Sequence, residues 1–165
     1  MKFRLCSLVA LLLALVMCFT GCSLFGAKAK KFEKAGLAIT LNENFSESAY
    51  EFCTAAYESP QMQILTRKEE FSLFESTDYN PDMSLTEYAQ LVISANEITA
   101  EAIEEKGLTY FEFEPPEKQD DNYYHVGYVF KGSNAFWLVQ FAVKKDSYKK
   151  LQKDITKYAK SVVVE

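Results

Sequence analysis

Few residues in this chain could make or break a covalent bond. It holds one histidine, His125, and four cysteines, Cys6, Cys18, Cys22 and Cys53. A thiolate beside an imidazole is a nucleophile with its base, so Cys53 and His125 are the first pair to weigh. Cys53 stands in Phe52-Cys53-Thr54-Ala55, a strand-like run where cysteine usually serves as a small buried hydrophobe. Nothing near it in sequence would depress its pKa. His125 has no nucleophile or second ligand close by in the chain. If Phe113 pairs with Tyr124, Glu112 lies across from His125 and the two form a cross-strand ion pair. The competing reading is acid–base chemistry by His125 with the nearby carboxylates Glu112, Glu114, Glu117, Asp120 and Asp121. Paired carboxylates do such work when they face each other across a cleft. The last three stand in a loop beside Pro115 and Pro116, which suits a solvated hairpin tip or a contact for a basic partner.

Asp78-Tyr79-Asn80-Pro81-Asp82 opens like a calcium loop. Its sixth position is Met83 where the turn requires Gly, and its twelfth is Ala89 where a bidentate Glu belongs. It reads as an acidic turn into a helix, with weak cation binding as the alternative. HExxH, CxxC, GxSxG and glycine-rich phosphate loops do not occur. No catalytic residue, cofactor or metal is expected.

The clearest chemistry lies at the N-terminus. Lys2 and Arg4 precede an apolar run from Leu5 to Phe19, followed by Phe19-Thr20-Gly21-Cys22. The run of about 15 residues is shorter than the roughly 20 that span a bilayer. Charge, apolar core and small residues in that order make residues 1–21 a secretion signal. The last four residues resemble a bacterial lipobox, with Phe19 where leucine is usual. Cys22 then carries a lipid, such as a diacylglycerol with palmitate chains, and becomes the new N-terminus. Residues 22–31 form the tether and 32–165 one globular domain. Loss of the signal removes Lys2 and Arg4, taking 18 basic residues to 16 against 23 acidic ones and the net charge from −5 to −7. Such a balance argues against nucleic acid as a partner. Cys53 is then the one remaining free thiol, and the fold rests on its core without disulfides.

The positioning elements follow from periodicity. Leu37, Ile39 and Leu41 alternate as in a half-buried strand; Tyr50–Tyr57 and Gln61–Lys68 are further strand candidates. Ser84-Leu85-Thr86-Glu87 has capping-box spacing, and Leu85, Tyr88, Ala89, Val92 and Ile93 give the following helix one apolar face. Residues 97–106 fit helix or strand. Strand Leu108–Glu114 comes next. Tyr123–Lys131 and Ala135–Val143 flank Gly132-Ser133-Asn134 as a hairpin. A two-residue turn at Gly132-Ser133 sets Tyr124, Val126, Tyr128 and Phe130 opposite Phe141, Val139, Trp137 and Ala135, with Trp137 in the core beside Tyr128. A last helix, Ser147–Lys160, carries Tyr148, Leu151, Ile155, Tyr158 and Ala159 on one face and Lys149, Lys150, Lys153, Lys157 and Lys160 on the other. That lysine face is a solvated surface or a contact for anionic lipid. Val162–Val164 is a short terminal strand. The order of elements indicates an α+β domain with a mostly antiparallel sheet.

From Phe32 onward the chain resembles the PsbP/Mog-like superfamily with its DcrB-like bacterial lipoproteins. The resemblance lies in Gly36–Leu41 with Phe45, in Ser84–Ala89, and in Ala135–Ala142 leading to Ala159–Val162. It implies a central mostly antiparallel sheet flanked by helices, an α/β/α sandwich, and members that act as binding or assembly factors and not as enzymes. None of those stretches is a catalytic signature, and no photosystem- or Ran-contacting motif carries over.

The expected protein is therefore an extracytoplasmic, membrane-tethered binding or assembly module with a protein or cell-envelope partner. The alternatives are an enzyme using His125 and its carboxylates, and a lipid-surface-binding protein. Cys22→Ser is expected to give a chain that incorporates no alkyne fatty acid in metabolic labelling and escapes processing by the lipoprotein peptidase. Labelling of that variant at the wild-type level would contradict lipidation of Cys22.

Overall fold

The protein's structure is a computed structural model and describes residues 27–74, 80–115 and 122–165. Residues 1–21, expected to be a secretion signal, and Cys22, Asp78, Tyr79, Glu117, Asp120 and Asp121 lie outside the described residues. In chain order the elements are β1 (Ala29–Lys34), β2 (Leu37–Asn42), β3 (Ser46–Ser48), β4 (Ala55–Ser59), β5 (Met62–Glu70), α1 (Leu85–Ala95), β6 (Ile103–Glu105), β7 (Leu108–Phe113), β8 (Tyr123–Lys131), β9 (Ala135–Lys144), α2 (Tyr148–Lys160) and β10 (Val163–Val164).

These strands build two antiparallel sheets where one was expected. The larger has the order β3-β4-β5-β9-β8-β7-β6, and the smaller the order β1-β2-β10. β1 was placed in the tether and the globular start; instead residues 29–31 already pair with β2. The reason is a two-residue hairpin turn at Ala35-Gly36, both with positive φ, 54° and 92°. That conformation matches the twist of the flanking strands.

β8 and β9 form the centre. Both are buried on two faces, so neither shows clean polar–apolar alternation. Val126, Tyr128, Trp137, Val139 and Phe141 face one core, shared with Phe32, Ile39 and Leu41 of the small sheet and Leu151, Ile155 and Tyr158 of α2. Phe136 and Val129 face a second core, shared with Phe111 and with Tyr88, Ala89, Val92 and Ile93 of α1. Tyr88 stacks on Phe136 at 4.3 Å between ring centroids. The capping box starts α1 as its spacing requires: Ser84 Oγ accepts from the Glu87 amide at 3.2 Å, and the Glu87 carboxylate accepts from the Ser84 amide at 2.7 Å.

The central hairpin has the expected faces in a different register. Tyr124 pairs with Val143, Val126 with Phe141, Tyr128 with Val139 and Phe130 with Trp137, a shift of two residues from the expected set. A shift of two keeps every side chain on its face, because the side-chain period is two. The turn is Ser133-Asn134, closed by Gly132 N–H donating to the Ala135 carbonyl at 2.9 Å. Gly132 is thus not the turn's first central residue. A Cβ there would lie 1.9 Å from the Glu165 carbonyl oxygen, so the glycine makes room for the C-terminal segment.

Trp137 is fully buried in the same core as Tyr128, and its indole Nε1 has no hydrogen-bond partner among the described residues. Emptying a large aromatic site costs roughly 3–5 kcal/mol. An orphaned buried donor costs roughly 1–3 kcal/mol. Trp137→Ala is therefore expected to lower stability in urea unfolding by about 3 kcal/mol or more. Trp137→Phe, which sheds the orphaned N–H and keeps a ring, is expected to cost about 1 kcal/mol or less. A loss below about 1 kcal/mol for the alanine variant would contradict the core placement.

Candidate functional site

Register decides which chemistry meets which. Phe113 pairs with His125, and Glu112 with Val126, one residue away from the expected pairing. A one-residue shift sends a side chain to the opposite face. The expected Glu112–His125 ion pair is accordingly corrected: His125 lies on the α1 side of the large sheet and Glu112 on the α2 side. His125 stacks on Phe113, with centroids 5.0 Å apart and 20° between planes, and its Nδ1 lies 2.8 Å from Gln140 Nε2. With that amide donating, Nδ1 is the acceptor and the ring proton sits on Nε2.

α1 is 11 residues long and packs on β7 and β8, so it leaves part of this sheet face uncovered. Two depressions of about 470 and 510 Å³ occupy that part. Both are lined by Val92, Asn96, Leu138 and Gln140, so they adjoin along the end of α1 as two parts of one grooved region. Phe52, Cys53 and Arg67 line one end; His125, Phe113 and Glu114 line the other. Phe52 is 83% exposed at the lip.

The expected strand from Tyr50 begins only at Ala55. Residues before it form a turn in which the Cys53 amide donates to the Tyr50 carbonyl at 3.1 Å. Cys53 is therefore half-exposed at the groove and not a core residue. Burial pushes its thiol pKa up, against a smaller lowering by Arg67, so the reactive thiolate is disfavoured. Cys53 lines one depression and His125 the other.

A second concavity, about 370 Å³, opens on the other face between the β6–β7 end of the sheet and α2. Glu112 anchors one side of it. Tyr124 donates to Glu112 Oε2 at 2.8 Å and Tyr148 to Oε1 at 2.6 Å, with the two phenol rings stacked at 4.0 Å. Burial and these bonds to a carboxylate push the Tyr124 pKa up to about 12, and that of Tyr148 up as well. Both phenols remain proton donors at neutral pH, and Glu112 has each oxygen engaged. The arrangement is a fixed acceptor held by two donors, poorly suited to proton transfer. Tyr110, Tyr128, Glu105 and Lys106 complete the rim. Sequence reasoning missed this cluster because Tyr148 lies 36 residues from Glu112 and reaches it only through the packing of α2.

The remaining residues singled out from the sequence take plainer places. Asn80 Oδ1 accepts from the Asp82 amide at 2.8 Å, a turn that leads into the cap of α1. Among the described residues no group of three His, Cys, Asp or Glu is placed to hold a metal. Glu114 pairs with Lys145 at 3.0 Å. Lys149, Lys150, Lys153, Lys157 and Lys160 are all exposed on α2.

The raised phenol pKa values carry a sign. Between the ordinary tyrosine value near 10 and the folded value, the unfolded chain loses the proton first. Their stabilisation is complete below about pH 10 and is lost as pH rises toward about 12. Tyr124→Phe with Tyr148→Phe is therefore expected to flatten the decline of stability above about pH 10 in denaturant titrations at stepped pH. An unchanged alkaline slope would contradict the assignment.

No protein-family model matches this chain, and no curated protein matches it. Solved structures do. The solution structure of cyanobacterial PsbP (CyanoP) from Synechocystis sp. PCC 6803 superposes with a TM-score of 0.56 at 12% identity, covering 88% of this chain and 98% of that one. A crystal structure from Bacteroides thetaiotaomicron VPI-5482 gives a TM-score of 0.53 at 12% identity, covering 86% of this chain and 49% of that one. At such identities the likeness concerns the fold alone. The chain has a PsbP-like α+β fold of mostly antiparallel sheets, with two α-helices among the described residues.

Proposed function

We propose that this protein is a lipid-anchored, extracytoplasmic binding module and not an enzyme, and that its groove beside α1 holds an extended segment of a partner protein in the cell envelope. In this reading α1 and α2 belong to the outer layers of an α/β/α sandwich, and the groove is the uncovered end of one layer. The observation that carries it is that the two depressions share Val92, Asn96, Leu138 and Gln140 in their linings, and in this reading they act as one groove. An extended chain needs apolar side chains to pack on and side-chain amides to bond, and the linings supply both, with Val92, Leu138 and Phe113 beside Asn96 and Gln140. A small-molecule enzyme would need converging reactive groups, whereas Cys53 and His125 line separate halves. The anchor at Cys22 would hold the domain near envelope proteins and raise its effective concentration toward them.

Binding energy in such a groove is centred on a few buried contacts and spread thinly elsewhere. Leu138→Glu places a charge in the middle of the groove and is expected to fail in complementing a deletion strain while keeping wild-type circular dichroism. His125→Gln keeps a hydrogen-bonding partner for Gln140 and is expected to complement. A folded His125→Gln protein with no function, beside a functional Leu138→Glu protein, would replace the binding reading with an enzymatic one.

A further inference from the structure

The polar face of α2 lies on the same layer of the molecule as the strand that leaves the tether. α2 runs through Ser161 and Val162 into β10, which pairs with β2, and β2 pairs with β1. Ala29, the first residue of β1, sits opposite Asn42, whose amide donates to Tyr158 of α2 at 2.9 Å. The chain therefore enters the domain beside α2.

The charge on this helix opposes the charge of everything else. Tyr148–Lys160 contains five lysines and one acid, Asp154. Outside it, residues 22–165 hold 11 basic residues, 16 less those five, against 22 acidic ones, 23 less Asp154. Leu151, Ile155, Tyr158 and Ala159 are buried, so the lysines at 149, 153, 157 and 160 project from the opposite side. All five are exposed, and none has an ion-pair partner among the described residues.

We infer that the lysine face of α2 docks on an anionic bilayer surface, as a second contact that orients the anchored domain. The inference rests on lipidation of Cys22, proposed above. Six residues, and so seven Cα-to-Cα steps, separate Cys22 from Ala29, a reach of at most roughly 25 Å. Attraction to anionic headgroups fades beyond a Debye length of about 8 Å, so a tether this short is what brings the helix into range. The acidic remainder of the domain is repelled by the same surface, which fixes the orientation: α2 toward the membrane, and the groove beside α1 on the far side of the large sheet, open to partners. Each lysine near such a surface contributes about fivefold to the docked-to-undocked ratio.

The test uses the lipidated mature chain in nanodiscs, with Cys53→Ala and a fluorophore at Lys157→Cys, or at Gln90→Cys on the exposed side of α1. Nitroxide headgroup lipids report proximity. Quenching at 157 is expected in discs containing phosphatidylglycerol, with little at 90. It should disappear in phosphatidylcholine alone or at 0.5 M salt. Lys149→Gln with Lys150→Gln, Lys153→Gln and Lys160→Gln should lower the docked-to-undocked ratio at least about tenfold. Equal quenching at 157 and 90, or quenching at 157 indifferent to lipid charge, would overturn the docking while leaving the anchor intact. A chain that separates from discs of both compositions on gel filtration would overturn the anchor, and the docking with it.

Discussion

The ladder between β8 and β9 is the constraint on which the other arrangements depend. Nine residue pairs, from Tyr123–Lys144 to Lys131–Phe136, join two strands that are buried on both faces. Buried backbone amides must find partners, and in a doubly covered strand the neighbouring strands supply them. The pairing therefore fixes two cores at once. Trp137, Val139 and Phe141 commit one face to α2 and the small sheet; Phe136 commits the other to α1. β7 then adds alongside β8 in a register that sends His125 toward the groove and Glu112 toward the tyrosine pocket. Phe111 packs over Gly127, where an added Cβ would lie 2.6 Å from the ring, so this register also depends on a missing side chain.

The two concavities differ because the helices cover the sheet differently. α1 is short, begins at a firm cap and ends at Asn96, so the sheet face beyond it stays open around Leu138 and Gln140. α2 lies beside the small sheet in a fuller layer, and its concavity is closed on one side by phenols bonded to Glu112. The first arrangement offers unfilled surface to a ligand; the second has already spent its best acceptor on its own side chains. That contrast is why we propose binding at α1 and assign the outer lysines of α2 to the membrane.

Much of this was legible in the sequence wherever the cause was local. Ser84 and Glu87 stand three apart and form both bonds of a capping box. The stripe Leu151, Ile155, Tyr158 and Ala159 is the buried face of α2. The hairpin faces followed from alternation, although their register did not, since Gly132 suggested a turn and instead accommodates the C-terminal segment. Causes distant in sequence stayed hidden. Nothing around Glu112 announces Tyr148, and the β7–β8 register depends on ring packing across strands. β1 was hidden by its composition, with lysines at 30, 31 and 34 around a single buried Phe32.

The claim that one register sorts His125 and Glu112 onto opposite faces is open to a direct measurement. The ring resonances of His125 can be followed by NMR in Gln140→Ala and in Glu112→Gln. Loss of the Gln140 amide is expected to move the His125 ring signals, because that amide sits 2.8 Å from Nδ1. Neutralising Glu112 across the sheet is expected to leave them in place. Shifts in the Glu112→Gln protein with none in Gln140→Ala would place the two residues on one face and contradict the register, the groove and the division of labour drawn from them.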